Sequence, residues 1–282
     1  MKKNGAKAIV QIHHGGAQAL PELTPDGDVV APSAISLKSF GQQKEHDARE
    51  MTAEEIEQTI RDFGEATRRA IEAGFDGVEI HGANHYLIHQ FVSPYYNRRN
   101  DVWADNYKFP VAVIDEVVKA KKAHANDDFI IGYRLSPEEA ESPGISMEIT
   151  EELIHQIANK PLDYIHVSLM DVNSVTREGK YKGENRLELI HQWINGRMPL
   201  IGIGSVFTAE DALNAVENIG VEFVALGREI LLDYDFVAKI KEGREDEIIN
   251  AFDPNREDQH YLTPNLWEQF NQGFYPLPRK DK

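Results

Sequence analysis

The strongest constraint on this chain is a rhythm. Short apolar runs rich in β-branched residues alternate with amphipathic stretches of helical period along most of its length. The runs cover residues 6–12, 77–81, 129–135, 164–169, 200–205 and 223–227. They read as near-continuous apolar segments, which suits parallel strands covered on both faces. Between them, Thr52-Ala53-Glu54-Glu55 resembles a capping box opening a helix that ends at Gly74. Further helices are predicted over 109–124, 150–159, 186–195, 209–218 and 230–242. Six β-then-α units in series imply a parallel α/β fold. An open doubly wound sheet and a TIM (β/α)8-type barrel compete for that pattern. No G-x-G-x-x-G follows the first run, which weakens the open dinucleotide-binding sheet. The runs close on His81, Arg134, Ser168, Ser205 and Arg228, and polar residues at the C-terminal ends of many strands are how barrel active sites are built. The barrel is the expected architecture, with about six βα units visible in residues 1–252.

Residues 13–51 form a long excursion containing Pro21, Pro25, Gly27, Pro32 and Gly41, expected to be functional or to carry small structure of its own. Residues 253–282 interleave Pro254, Pro264, Pro276 and Pro278 with Trp267, Phe270, Phe274 and Tyr275. They read as a tail packing on the barrel or on a partner subunit, which leaves a homo-oligomer open. The 30 basic against 47 acidic residues, a net charge of −17, argue against nucleic acid or an anionic membrane as partner. The absence of cysteine excludes disulfides, thiolate zinc sites and iron–sulfur clusters, and a reduced, cytoplasmic setting is expected.

Four places carry candidate chemistry. The first is His81-Gly82-Ala83-Asn84-His85-Tyr86. The strand delivers His81 to its C-terminal end, and a turn can bring Asn84 back beside it. Imidazole and amide N–H groups side by side make a clamp for one carbonyl oxygen on which negative charge develops. Tyr86 adds a phenol that is protonated at neutral pH and can act as a general acid. The plainer reading is three polar residues satisfying a strand-to-helix turn. The second place pairs Gly204 and Ser205 with Gly227 and Arg228, near the ends of the last two strands. Small residues let a phosphate approach backbone N–H groups, and an arginine can pair with it. Tight-turn glycines beside a surface arginine are the alternative. The third is Arg134, costly at the end of an apolar strand unless it meets an anion, an acceptor or a structural carboxylate. The fourth is Gln11, beside His13 and His14, which offers a donor and an acceptor to a heteroaromatic edge or is a satisfied core amide. The eleven histidines show no spaced, carboxylate-supported set, so no metal site is expected. Glu138-Glu139-Ala140-Glu141 reads as a charged loop.

Taken together, residues 6–236 resemble the Old Yellow Enzyme family of FMN-dependent ene reductases and NADH:flavin oxidoreductases. The most specific stretch runs from Ala73-Gly74-Phe75-Asp76-Gly77-Val78-Glu79-Ile80-His81-Gly82-Ala83-Asn84-His85-Tyr86-Leu87 to Gln90-Phe91 and Ser93-Pro94. Val10-Gln11, Ala31-Pro32-Ser33-Ala34-Ile35 and Gly227-Arg228-Glu229-Ile230-Leu231-Leu232 support it. The resemblance implies FMN as cofactor and NADH or NADPH as reductant. It assigns His81 and Asn84 to a substrate carbonyl oxygen, Tyr86 to proton donation, Gln11 to the flavin pyrimidine edge, and Arg134 to flavin N1 and O2. Gly204, Ser205, Gly227 and Arg228 match the FMN phosphate cradle. The implied partner is a small electron-poor alkene or a quinone. A flavin oxidase or diaphorase using oxygen or quinones is the rival within the class, and an inactive truncated barrel fragment or binding module the rival outside it. The chain departs from the family in having His85 where glycine is usual, and Val102-Trp103-Ala104-Asp105-Asn106 in place of a tyrosine-glycine-glycine stretch. Two further βα units are also expected before Ala6, so that Met1 would fall inside a second helix.

Overall fold

Each of the six apolar runs forms a strand in the computed structural model, which describes residues 2–39, 44–260, 262–274 and 276–280. Met1, Gly41 and Tyr275 lie outside the described residues. In chain order the elements are β1 (Ile9–Ile12), β2 (Val30–Ala31), β3 (Ile35–Leu37), β4 (His46–Glu50), α1 (Ala53–Glu72), β5 (Gly77–Gly82), α2 (Leu87–Val92), α3 (Lys108–His124), β6 (Ile130–Leu135), α4 (Met147–Ile157) and β7 (Tyr164–Val167). They continue with α5 (Arg186–Ile194), β8 (Leu200–Ile203), α6 (Ala209–Asn214), β9 (Phe223–Ala225), α7 (Arg228–Leu232), α8 (Phe236–Lys241) and α9 (Pro264–Asn271). The chain divides into two compact units, Met1–Ser168 with Val175–Leu200, and Leu169–Ser174 with Ile201–Lys282.

In the first unit, β1, β5, β6 and β7 pair side by side, all parallel. Acidic residues pin the strand starts. Asp76 accepts from the Ala8 N–H at 2.7 Å, and Asp163 accepts from the Ile131 N–H at 2.7 Å. The capping box forms as the sequence implies: Thr52 Oγ1 accepts from the Glu55 N–H at 3.2 Å, and the Glu55 carboxylate accepts from the Thr52 N–H at 2.8 Å. Helix α1 then buries Ile56, Phe63 and Ala70 along one stripe, and α3 buries Phe109, Val113, Ile114 and Val117. Each such side chain contributes about 1.5–3 kcal/mol on leaving water. The strands are covered on both faces, but they are not uniformly apolar. Val78, Ile80, Ile131, Tyr133, Ile165 and Val167 alternate with Glu79, His81, Gly132, Arg134, Tyr164 and His166. Period two therefore gives the sheet one hydrophobic face and one polar face. The long excursion carries its own three-stranded sheet, ordered β2-β4-β3, over a small cluster of Ala17, Val29, Ala31, Ala48 and Tyr96.

In the second unit, β8 and β9 pair in parallel, Ile201 opposite Phe223 and Ile203 opposite Ala225. The helix expected over 230–242 is interrupted: α7 stops at Leu232 and α8 starts at Phe236. The cause is Asp233, whose buried carboxylate accepts from Lys239 Nζ at 2.5 Å and from the Asp235 and Ile249 N–H groups. These bonds hold a turn where a continuous helix would leave the carboxylate unsatisfied. In the tail, α9 contributes Phe270 to a cluster with Leu232 and Phe252, flanked by Leu266 and Trp267. Among the described residues no helix is long and apolar enough to cross a membrane.

Candidate active site

The polar face of the first unit is built in rungs set by strand register. One rung aligns Gln11, Glu79, Gly132 and Tyr164, and the next aligns His81, Arg134 and His166. Glu79 is the hub of the first. It accepts from Gln11 Nε2, from the Tyr164 hydroxyl at 3.0 Å and from His166 Nδ1 at 3.0 Å. Burial pushes its pKa up, and the donors led by His166 outweigh that and hold the carboxyl below its ordinary range. Burial, with the same charge adding to it, pushes the Tyr164 phenol far above its usual range. Gly132 makes this possible, since a Cβ there would stand 2.1 Å from the Tyr164 ring. Gln11 thus has its amide N–H2 committed to Glu79, which orients its carbonyl end.

The second rung and the turn beyond it hold the clamp. His81 is 4% exposed, and its Nδ1 has no hydrogen-bond partner among the described residues. Burial first, and then the neighbouring Arg134 charge, push its pKa down to about 4, so the ring is a neutral N–H donor at physiological pH. Asn84 and His85 both adopt left-handed backbone, φ 57° and 59°, and this double turn carries the chain from β5 into α2. It brings Asn84 back over the sheet, where its N–H donates to Ser136 Oγ at 3.0 Å. Asn84 Oδ1 accepts from Ser168 Oγ at 3.0 Å and from Ser136 Oγ at 3.3 Å. With its oxygen engaged twice, the amide keeps its N–H2 group as the end available to donate. Tyr86 packs against His81 and His13, with ring centroids 5.2 and 5.0 Å apart. Arg134 Nη2 donates to Ser168 Oγ at 3.0 Å, while its buried Nε has no partner among the described residues. Burial lowers the Arg134 pKa and the Glu79 charge opposes that shift. A guanidinium donor left open beside a neutral imidazole suits the electron-rich edge of a bound group.

The second unit carries the four residues expected to cradle an anion. Gly204 has φ 134°, and a Cβ there would lie 2.5 Å from the Asp171 backbone nitrogen, so only glycine fits. Ser205, at φ 51°, donates to the Met170 carbonyl at 2.7 Å. Arg228 Nη2 donates to Ser205 Oγ and to the Met170 carbonyl, both at 3.0 Å, and Nη1 donates to the Pro276 carbonyl at 2.7 Å. Phe207 lies under the guanidinium, 5.1 Å away. At Gly227 a Cβ would meet nothing nearer than 3.9 Å, so the backbone there is open to a ligand. The braced cation, the hydroxyl and the open backbone at Gly227 fit a phosphate group.

The unions that spacing did not reveal are Glu79 with Tyr164 and His166, and Asn84 with Ser136 and Ser168. Glu79 carried a signal: it lies two residues before His81 in a strand, so it shares that face. The fold also brings Glu139, 50 residues further on, to the pair His85 and His89. The departing loop 102–106 forms a short turn with Trp103 buried. The Asp101 carboxylate accepts from the Trp103 N–H at 2.9 Å, and the Trp103 ring meets Phe109 edge-on.

The parallel α/β scaffold is that of the flavin-dependent oxidoreductases of the α/β-barrel class. The chain belongs to the NADH:flavin oxidoreductase / NADH oxidase family, whose sequence profile matches residues 1–247. It is 48% identical over 282 residues to the probable NADH-dependent flavin oxidoreductase YqiG of Bacillus subtilis (strain 168), covering 98% of this chain and 74% of that protein. It is 39% identical over 277 residues to the NADH:fumarate oxidoreductase of Klebsiella pneumoniae (strain 342), where it covers 95% of itself but only 29% of the longer relative. Among solved structures, morphinone reductase in complex with tetrahydroNAD superposes with a TM-score of 0.70 at 24% identity, over 85% of this chain and 67% of that one, a likeness of fold. The family's cofactor is FMN and its reductant NADH or NADPH.

Proposed function

We propose that this chain reduces the C=C bond of small α,β-unsaturated carbonyl compounds at the expense of NAD(P)H. The observation that carries the reading is the pair of neutral donors. His81 is held uncharged by burial, and Asn84 is held through its oxygen by two serines, which leaves its N–H2 to donate. Gln11 and Arg134 would hold the flavin ring, and Gly204, Ser205, Gly227 and Arg228 its phosphate. FMN, when bound, supplies acceptance of a hydride from the nicotinamide and its return to the alkene. The protein's own work is at the substrate oxygen and the α carbon. As hydride reaches the β carbon, electron density moves onto the carbonyl oxygen, where the His81 and Asn84 N–H groups stabilise it. Neutral donors suit this role, since a charged imidazolium would bind the ground-state oxygen as well. Tyr86 gives its phenolic proton to the α carbon and regains one from water, so that one hydride and one proton are added across the double bond.

The test uses FMN-loaded protein and separates the half-reactions by stopped flow, with cyclohexenone as the alkene. Tyr86→Phe is expected to slow alkene reduction by roughly 10²-fold, the low end for general acid catalysis. Reduction by nicotinamide should stay nearly intact. Equal loss in both halves overturns the proton-donor role. A second reading, transfer to oxygen or a quinone, is favoured by the 32% identity over 250 residues to the NADH oxidase of Thermoanaerobacter brockii. Steady turnover with oxygen that exceeds turnover with cyclohexenone would decide for it. Protein that stays colourless after incubation with FMN and desalting would decide for a binding fragment.

A further inference from the structure

One group of potential metal ligands converges among the described residues, and the flavin chemistry does not use it. His85, His89 and Glu139 each place one ligand atom within 4.8 Å of the others. His89 Nε2 stands 2.7 Å from Glu139 Oε2, and His85 Nδ1 stands 3.6 Å from the same oxygen. The two imidazole centroids are 4.6 Å apart. A zinc ion with ligand bonds of ~2.0 Å places tetrahedral donors about 3.3 Å apart, a spacing that these two separations bracket. The carboxylate is already aimed. Glu139 Oε1 accepts from the Ser93 hydroxyl and from the Ile145 N–H at 2.8 Å, which leaves Oε2 for the histidines. Glu139 and His89 have fully buried side chains, while the His85 side chain is 23% exposed and offers the way in.

Two further observations point at the same spot. Glu141 lies close enough to act electrostatically on His85, and its buried Oε2 has no hydrogen-bond partner among the described residues. His85 itself sits at φ 59°, a left-handed conformation that disfavours a side chain. A glycine would satisfy that backbone without cost, so the imidazole is kept there against the local preference.

We propose that His85 Nδ1, His89 Nε2 and Glu139 Oε2 bind a divalent transition-metal ion, with Glu141 adding negative charge nearby. Two imidazoles and a carboxylate suit zinc and do not suit calcium or magnesium, which take all-oxygen shells. Two of the ligands flank Tyr86 on the turn and helix α2, and Glu139 lies on the loop after β6. An ion there ties two segments some fifty residues apart and fixes the turn that carries Tyr86. This inference is independent of the flavin reading.

The test is zinc retention by the full chain. Protein stripped with EDTA and desalted is incubated with zinc sulfate, desalted again, and its metal content measured by inductively coupled plasma mass spectrometry. About one zinc per chain is expected, with a rise in the thermal midpoint on zinc addition. His85→Gly removes one ligand and relieves the backbone, so it should fold and retain at least tenfold less zinc, with no rise in midpoint. Glu139→Gln should behave alike wherever it folds. Cobalt(II) in place of zinc should show the visible absorption of a tetrahedral nitrogen–oxygen site in the parent chain alone. No zinc retained by the parent, or equal zinc in parent and His85→Gly, overturns the proposal.

Discussion

Replacing Gly132 by alanine adds one methyl group at the centre of the polar face, and the structure sets what it should cost. Gly132 lies in β6 directly between Glu79 of β5 and Tyr164 of β7. The new Cβ would stand 2.1 Å from Tyr164 Cζ, 2.3 Å from Cε2 and 2.5 Å from the hydroxyl oxygen. Ordinary contact between such atoms is about 3.5–4.0 Å, so the ring must retreat by roughly 1.5 Å. A shift of that size breaks the 3.0 Å bond from the Tyr164 hydroxyl to Glu79. Overpacking costs about 1–3 kcal/mol and a hydrogen bond to a charged group about 1.5–3 kcal/mol, so the expected loss is about 3–5 kcal/mol. For a unit of this size that lowers the thermal midpoint by on the order of 10 °C. Calorimetry on Gly132→Ala measures it directly. The double variant Gly132→Ala/Tyr164→Ala separates the clash from any backbone effect, because with the ring gone the methyl group should cost under about 1 kcal/mol. A Gly132→Ala midpoint within a degree or so of the parent would refute the argument. So would a methyl group that costs as much with the Tyr164 ring absent as with it present.

Three other outcomes are expected. The folded His81 imidazole titrates near 4, below the ordinary value of about 6.5, so the unfolded chain takes up a proton that the folded one refuses. Stability should therefore be full above about pH 6.5 and fall between there and about pH 4, by roughly 3 kcal/mol from this group. Denaturant unfolding at several pH values should show a shallower fall in His81→Asn, and equal slopes would contradict the assignment. Gly204→Ala forces a side chain onto φ 134° and against the Asp171 backbone, and should weaken FMN binding at least tenfold by fluorescence titration. An unchanged affinity would remove Gly204 from the cradle. Ser168→Ala deletes the donor to Asn84 Oδ1 and the acceptor for Arg134, freeing the amide to turn over. Loss of about 1 kcal/mol of orientation should lower kcat/KM for cyclohexenone roughly fivefold. An unchanged value would show that Ser136 suffices to hold Asn84.

Taken alone, the sequence determined the class of fold and where along it the candidate residues fall. Local periodicity located all six main strands within a few residues, because a run of β-branched apolar residues between helical stretches has few other ways to bury itself. The places of His81, Asn84, Tyr86 and Arg134 could be read the same way, since each stands at the end of a strand or in the turn after it. The continuity of the helix over 230–242 was misjudged, since the interruption comes from a buried Asp233 whose partners, Lys239 and Ile249, are not implied by any period. Only the tertiary structure decided which groups share a hydrogen bond. Glu79 meets His166 across 87 residues, Asn84 meets Ser168 across 84, and His89 meets Glu139 across 50. Those pairings depend on parallel register and on the two left-handed residues at Asn84 and His85. Periodicity describes which face a side chain is on. Register decides what stands opposite, and so it decides that one buried carboxylate braces the polar face while another gathers two imidazoles.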